Sequence, residues 1–323
     1  MANPIRVAVV GVGYFGRFHA KHYAAHPDAE LVTVVDTDEA KARAVAAEVG
    51  AEPACDIRGL ARRVDAVSVA VPTPEHYAIA KELIEAGIHV LVEKPLTDSV
   101  ESAKALAELA AERNAVLQVG HVERFSGAFR ALAKLITRPL YIESYRISPW
   151  KTRGVDVDVI LDLMIHDIDI VMGLVGAPLD KVEAVGTPVL SGATDLANAR
   201  ITFDSGCVAN ITASRVSYKN ERRIRVFLPE QYIVCDFTEG RLFRYQLRGD
   251  PATEGAAAIA SESFDIPKED SLANEISEFL DCVASGRKPT VDGRAGCEVL
   301  RVAGMINDSI SAHYRAAQAL HDG

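Results

Sequence analysis

A chain of 323 residues, 49% apolar and 25% charged, exceeds what one hydrophobic core usually serves, so two domains are expected. Its net charge of −10 excludes a general nucleic-acid or anionic-membrane binder, because such partners need a basic face. The cysteines (Cys55, Cys207, Cys235, Cys282, Cys297) are scattered and never form a C-x-x-C pair, which argues against a metal site or disulfide framework and for a reducing, cytoplasmic setting.

The first strand pattern starts at Ile5, leaving no room for a leader peptide, and no apolar run reaches membrane-spanning length. Up to Gly120, short apolar runs alternate with helical patterns. The strands are Ile5–Val10, Leu31–Val35, Ala66–Val71, His89–Val92 and Val116–Val119. The helices are Phe15–Ala25, Glu39–Val49, Glu75–Ala86 and Val100–Arg113. The runs are apolar on both faces, as strands covered by helices on both sides must be. This predicts a doubly wound parallel sheet of the Rossmann type over residues 1–120.

Residues 121–323 follow a different grammar and predict a substrate-binding and oligomerisation domain of the α+β class. Its strands are Leu140–Ile147, Val182–Val189, Ala197–Phe203, Cys207–Ser214, Arg222–Leu228, Tyr232–Asp236 and Arg241–Tyr245. Hairpin-length links and polar–apolar alternation make this sheet large and mostly antiparallel. Helices are expected over Val157–Val175, Ser271–Ser285 and Arg294–Ala317, and Gly249–Ser261 reads as a mobile loop.

The first strand runs into Gly11-Val12-Gly13-Tyr14-Phe15-Gly16 and then opens a helix. Gly11 permits the tight turn, Gly13 lets backbone approach a pyrophosphate, and Gly16 lets helix and strand pack closely. Asp36 closes the second strand at the spacing of a ribose-binding acid. A carboxylate there repels a 2′-phosphate, so NAD is expected rather than NADP. Ligands of such sheets lie beyond the carboxyl ends of the strands. Pro72, Thr73 and His76 at the third strand end, and Glu93 and Lys94 of Glu93-Lys94-Pro95 at the fourth, therefore join Gly11, Gly13, Tyr14, Phe15, Gly16 and Asp36 as cofactor-binding candidates. Lys94 is placed to stabilise developing negative charge.

The glycine turn, the Glu93-Lys94-Pro95 triplet and the sheet-rich second half together resemble the glucose–fructose oxidoreductase/inositol dehydrogenase/MocA family over essentially the whole chain. The resemblance implies that Lys94 is catalytic. It also implies that the second domain's sheet carries the substrate pocket and much of a dimer or tetramer interface.

On Val157–Val175, Asp158, Asp162, His166 and Asp169 fall within an arc of about 80° of an otherwise apolar helix. A buried seam of this kind costs free energy unless it is paired or functional. Family members carry D-x-x-x-H here, which implies His166 as acid/base with Asp162 beside it. Asp169 is expected to support them from behind, and Asp167 to face solvent or a subunit contact. Gly120–Phe125 and the basic stretch Arg146–Gly154 supply His121, Arg124, Arg146, Lys151 and Arg153, with His166, as substrate-binding candidates. Gly120–Phe125, the run Arg153-Gly154-x-Asp156-x-Asp158 and Asp162–Asp169 together look like the branch of the family that oxidises the 3-hydroxyl of UDP-N-acetylglucosamine. The alternatives are an inositol, polyol or other sugar dehydrogenase and a non-catalytic NAD-dependent regulator.

Overall fold

The structure, a computed structural model, describes residues 3–150 and 157–321. The chain divides into two compact units, Met1–Phe125 with Asp270–Leu300, and Ser126–Glu269 with Arg301–Gly323. The expected division after Gly120 does not include this return of residues 270–300 to the first unit.

In the first unit, β1 (Ile5–Val10), β2 (Ala29–Val35), β3 (Glu52–Ala54), β4 (Ala66–Val69), β5 (His89–Glu93) and β6 (Leu117–Gly120) form a parallel sheet in the order β3-β2-β1-β4-β5-β6. This is the Rossmann order. Helices α1 (Tyr14–Ala25), α2 (Glu39–Val49), α3 (Thr73–Glu85) and α4 (Val100–Glu112) connect the strands. β4 is buried along its whole length, which explains its uninterrupted apolar run. Strand β3 went unanticipated because Glu52-Pro53-Ala54 offers no apolar run. The side chains of Asp38 and Ser99 cap α2 and α4, and Gly50 ends α2 in the left-handed conformation.

The second unit opens with α5 (Gly127–Ala133). Its strands are β7 (Tyr141–Ile147), β8 (Leu179–Thr187), β9 (Leu196–Phe203), β10 (Val208–Ser214), β11 (Glu221–Leu228), β12 (Gln231–Asp236), β13 (Arg241–Leu247) and β14 (Ile259–Asp265). They form an eight-stranded sheet, β14-β13-β12-β11-β7-β10-β9-β8, antiparallel except for the β7–β10 pair. Alternate residues are buried along β9 and β10, as expected of a sheet with one covered face.

The expected loop Gly249–Ser261 is partly ordered. Pro251–Glu254 makes one helical turn (α6), capped by Asp250, and Ile259 begins the edge strand β14. The expected helix Val157–Val175 starts instead as a π-helix over Ile160–Met164 and continues as an α-helix (α7) over Ile165–Val175, packed on β7 and β10. The chain then returns to the first unit through α8 (Ser271–Ser285), whose Ile276, Phe279, Leu280 and Cys282 join the core of Val7, Val9, Tyr23, Val34 and Leu91. The last helix, α9 (Gly293–His321), starts in the first unit and ends in the second.

A buried ion pair anchors the approach to the π-helix. Asp195 accepts from the backbone N–H groups of Val189, Leu190 and Ser191 (2.8, 2.6 and 2.8 Å), from the Ser191 hydroxyl (2.6 Å) and from Arg215 Nε (2.8 Å). Arg215 also donates to the Val157 carbonyl (2.6 Å) and lies over the Trp150 ring. Burial works against the Asp195 charge, but hydrogen bonds from Ser191, Val189 and Leu190 outweigh it and hold the carboxyl well below the usual carboxylate range. A depressed carboxyl contributes stability that is present above its unfolded pKa of about 3.9 and lost as pH falls through its folded value. Asp195→Ala leaves the Arg215 charge buried and unpaired. It should lower stability by about 3–5 kcal/mol in urea unfolding at neutral pH; an unchanged midpoint contradicts this account.

Candidate active site

The first unit carries the glycine turn. Gly11 has a φ of 83°, and a Cβ there would lie 2.6 Å from the Ala70 carbonyl oxygen. A Cβ on Gly16 would lie 1.8 Å from the Gly11 carbonyl oxygen, so only glycine lets α1 leave the turn at this angle. Gly13 is exposed, and a Cβ there would meet nothing within 4 Å. It is the open point of the turn, and α1 follows it with no side-chain cap. Asp36 fastens the turn by accepting from the Val12 N–H (3.0 Å) and the Asp38 N–H (2.9 Å). Each oxygen retains a lone pair for a ribose hydroxyl. A glycine cradle, a helix N-terminus without a side-chain cap and a carboxylate at the end of β2 fit a dinucleotide with an unphosphorylated ribose. Tyr14 and Phe15 are exposed, with ring centroids 5.4 Å apart.

The ends of β4 and β5 are tied together by His76. One ring nitrogen lies 2.9 Å from the Val71 carbonyl oxygen and the other 2.9 Å from that of Pro95. This imidazole is engaged by the chain itself, beside an exposed Pro72 and a half-buried Thr73 that start α3. Lys94 is half-buried and precedes Pro95 through a cis peptide bond. The Glu93 carboxylate turns into the protein. Its Oε1 lies 2.9 Å from His19 Nε2, and its Oε2 accepts from the Lys94 backbone N–H (3.2 Å).

His121 and Arg124 follow β6 in the same unit. His121 is buried, and its Nδ1 has no hydrogen-bond partner among the described residues. Burial, with the charges of Lys94 and Arg124, pushes its pKa down to about 3, so the imidazole is neutral at physiological pH.

The second unit carries Asp162 and His166, both half-buried, on the π-helix and on the first turn of α7. π-Turns within α-helices occur often at functional sites. Asp158 accepts from the Leu161 N–H (2.8 Å) with one oxygen and from Asn307 Nδ2 (3.0 Å) with the other, tying the helix start to α9. Asp169 is buried. Asp167 does not face solvent as expected: it is buried, accepts from the Ser144 hydroxyl (2.6 Å) and pairs with Arg146 Nε. The Arg146 guanidinium, read from sequence as a substrate contact, is thus committed to holding α7 on β7. Lys151 and Arg153 lie outside the described residues. Among the described residues, no group of three or more His, Cys, Asp or Glu could hold a metal, and no helix is long and apolar enough to cross a membrane.

A dinucleotide turn on a Rossmann sheet, followed by a large mostly antiparallel sheet, defines a two-domain NAD-binding oxidoreductase. Residues 5–121 match the profile described as the oxidoreductase family, NAD-binding Rossmann fold, and residues 138–234 match the GFO/IDH/MocA C-terminal domain. The chain belongs to the GFO/IDH/MocA oxidoreductase family. It is 40% identical over 309 residues to the UDP-N-acetylglucosamine 3-dehydrogenase of Acidithiobacillus ferrooxidans, covering 95% of this chain and 98% of that protein. A solved structure of that enzyme superposes with a TM-score of 0.90, covering 96% of this chain and 99% of the other. The scyllo-inositol 2-dehydrogenase (NAD(+)) of Bacillus subtilis is 32% identical over 317 residues, 90% of each chain.

The depressed pKa of His121 has a measurable sign. The unfolded chain protonates this histidine near pH 6.5, the folded chain only near pH 3. Its contribution to stability is therefore fully present above about pH 6.5 and declines as pH falls toward 3. His121→Gln should flatten the loss of urea midpoint between about pH 7 and pH 5; a slope equal to that of the parent protein contradicts the assignment.

Proposed function

We propose that the protein oxidises the 3-hydroxyl of a UDP-sugar, UDP-N-acetylglucosamine, to the 3-keto sugar with NAD. The reading is carried by the near-full-length relative that bears that activity in its name. It is supported by the presence of Lys94, Asp162 and His166 in this chain. The dinucleotide would rest on Gly11, Gly13, Tyr14, Phe15 and Gly16, with its adenosine ribose on Asp36. NAD, when bound, supplies the two-electron acceptor for a secondary alcohol. His166 takes the hydroxyl proton, because an imidazole is the side chain that titrates near neutrality. Asp162 fixes the imidazole, and the Lys94 ammonium stabilises negative charge as it develops on the carbinol oxygen. Arg124 is assigned to the diphosphate, and His121, kept neutral chiefly by burial, to a sugar hydroxyl.

A second reading, an inositol or other polyol dehydrogenase, draws support from the Bacillus subtilis relative. Following NADH absorbance with a panel of UDP-sugars and inositols separates the two. Turnover of UDP-N-acetylglucosamine is expected; turnover of inositols alone favours the second reading, and no turnover at all favours a non-catalytic regulator. His166→Ala and Lys94→Ala should each lower kcat by at least about 10²–10⁴-fold while the NAD dissociation constant stays unchanged. Wild-type turnover in either variant removes that residue from the mechanism.

We further assign the protein to the cytoplasm as a homodimer or homotetramer. Burial pushes the thiols of Cys207, Cys235 and Cys282 up to about 11, 12 and 11, as expected of inert reduced cysteines. Tyr141, Phe227, Tyr232 and Tyr245 form a continuous row of rings across β7, β11, β12 and β13, with Arg225 over Phe227 and Tyr232. Such rows with arginine are favoured at subunit interfaces. Tyr232→Asp should shift the mass measured by light scattering toward the monomer; an unaltered mass places the interface elsewhere.

A further inference from the structure

Behind Glu93 lies a polar chain that no cofactor or substrate contact explains. His19 sits on the inner face of α1 and is fully buried, as are Ser68 on β4 and Tyr23 one turn further along α1. Tyr23 Oη lies 2.8 Å from Ser68 Oγ, Ser68 Oγ lies 3.2 Å from His19 Nδ1, and His19 Nε2 lies 2.9 Å from Glu93 Oε1. One assignment of protons satisfies every link. The Tyr23 hydroxyl donates to Ser68, the Ser68 hydroxyl donates to Nδ1, and Nε2–H donates to the carboxylate. Burial pushes the Tyr23 phenol well above its ordinary value, so this end of the chain stays a donor.

The far end of the chain is closed equally tightly. A Cβ on Gly120 would lie 3.0 Å from Glu93 Oε2, so glycine on β6 makes the space that the carboxylate fills. The remaining oxygen holds the backbone N–H of Lys94. The Glu93 side chain thus has one position, set by His19 on one side and Gly120 on the other, and the residue it fixes carries the ammonium.

We propose that His19 is a positioning residue for Lys94, acting through Glu93. This rests on the role given to Lys94 in the proposed function. Satisfied buried networks of this kind hold a site rigidly, and a displacement of about 1 Å at a reacting group can cost about 10²-fold in rate. His19→Leu removes both links at similar volume. His19→Gln keeps a donor for Glu93.

The test reads Lys94 itself as well as turnover. Lys94 is labelled with trace acetic anhydride in the NAD-free protein, and its reactivity relative to surface lysines is followed by peptide mass spectrometry. In His19→Leu the relative reactivity of Lys94 should change and kcat should fall by about 10–100-fold, with KM for the sugar and NAD affinity within about twofold of the parent. His19→Gln should recover both readouts to within about threefold of the parent. Unaltered Lys94 labelling in His19→Leu overturns the proposal, as does a glutamine variant no better than the leucine one. Altered labelling with unaltered kcat keeps His19 as the positioner and overturns the catalytic role of Lys94 instead. Should His19→Leu fail to fold, Ser68→Ala, which removes only the hydroxyl behind Nδ1, must alter Lys94 labelling in the same direction; unaltered labelling there is equally fatal.

Discussion

The close approach of α1 to the turn before it constrains everything on the first unit's carboxyl edge. Because Gly16 packs against the Gly11 carbonyl with no room for a Cβ, the helix begins directly over the end of β1. That placement presents the helical N–H groups beside the open Gly13 and puts Asp36 within reach of the Val12 N–H. It also fixes the angle at which the inner face of α1, with His19 and Tyr23, descends onto Ser68. A larger residue at position 16 would move all of these together.

In the second unit the equivalent constraint is electrostatic. Two buried arginine–carboxylate pairs hold the segment with Asp162 and His166. Arg215 with Asp195 fixes the chain at Val157, and Arg146 with Asp167 fixes the start of α7 to β7. Pairs of this kind add little net stability over an apolar substitute, but losing one partner leaves a stranded charge. They set position more than they add stability. Between them the backbone takes a π-turn, which needs firm anchors on both sides because its hydrogen bonding is less favourable than that of an α-helix.

Local patterns made much of this legible in advance. The glycine turn, Asp36, Glu93-Lys94-Pro95 and the Asp162/His166 spacing each lie within one strand–loop–helix unit, where a few residues determine backbone and chemistry together. What escaped depended on distant partners. Arg146 and Asp167 are far apart in sequence, and nothing near either one reveals that each neutralises the other. The polar strand Ile259–Asp265 has no apolar alternation, since its exposed edge position demands none. The π-turn Ile160–Met164 is as rich in apolar residues as the helix that follows it, so composition does not mark it. His19 was the accessible omission: Gly16, His19, Ala20 and Tyr23 are the buried positions of α1, so a histidine on that stripe was readable as an inward-facing polar group.

The order of the chain has a consequence for how it is made. The core of the dinucleotide-binding unit includes Ile276, Phe279 and Leu280, which leave the ribosome only after all of residues 126–269. Until then Val7, Val9, Tyr23 and Val34 lack part of the surface that covers them. The eight-stranded sheet has all its strands available before α8 exists. Assembly during synthesis is therefore staggered: the segment translated first waits for α8 to complete its core, the second unit waits in turn for residues 301–323, and a nascent chain stalled before residue 270 would display an unfinished apolar face for a chaperone to bind.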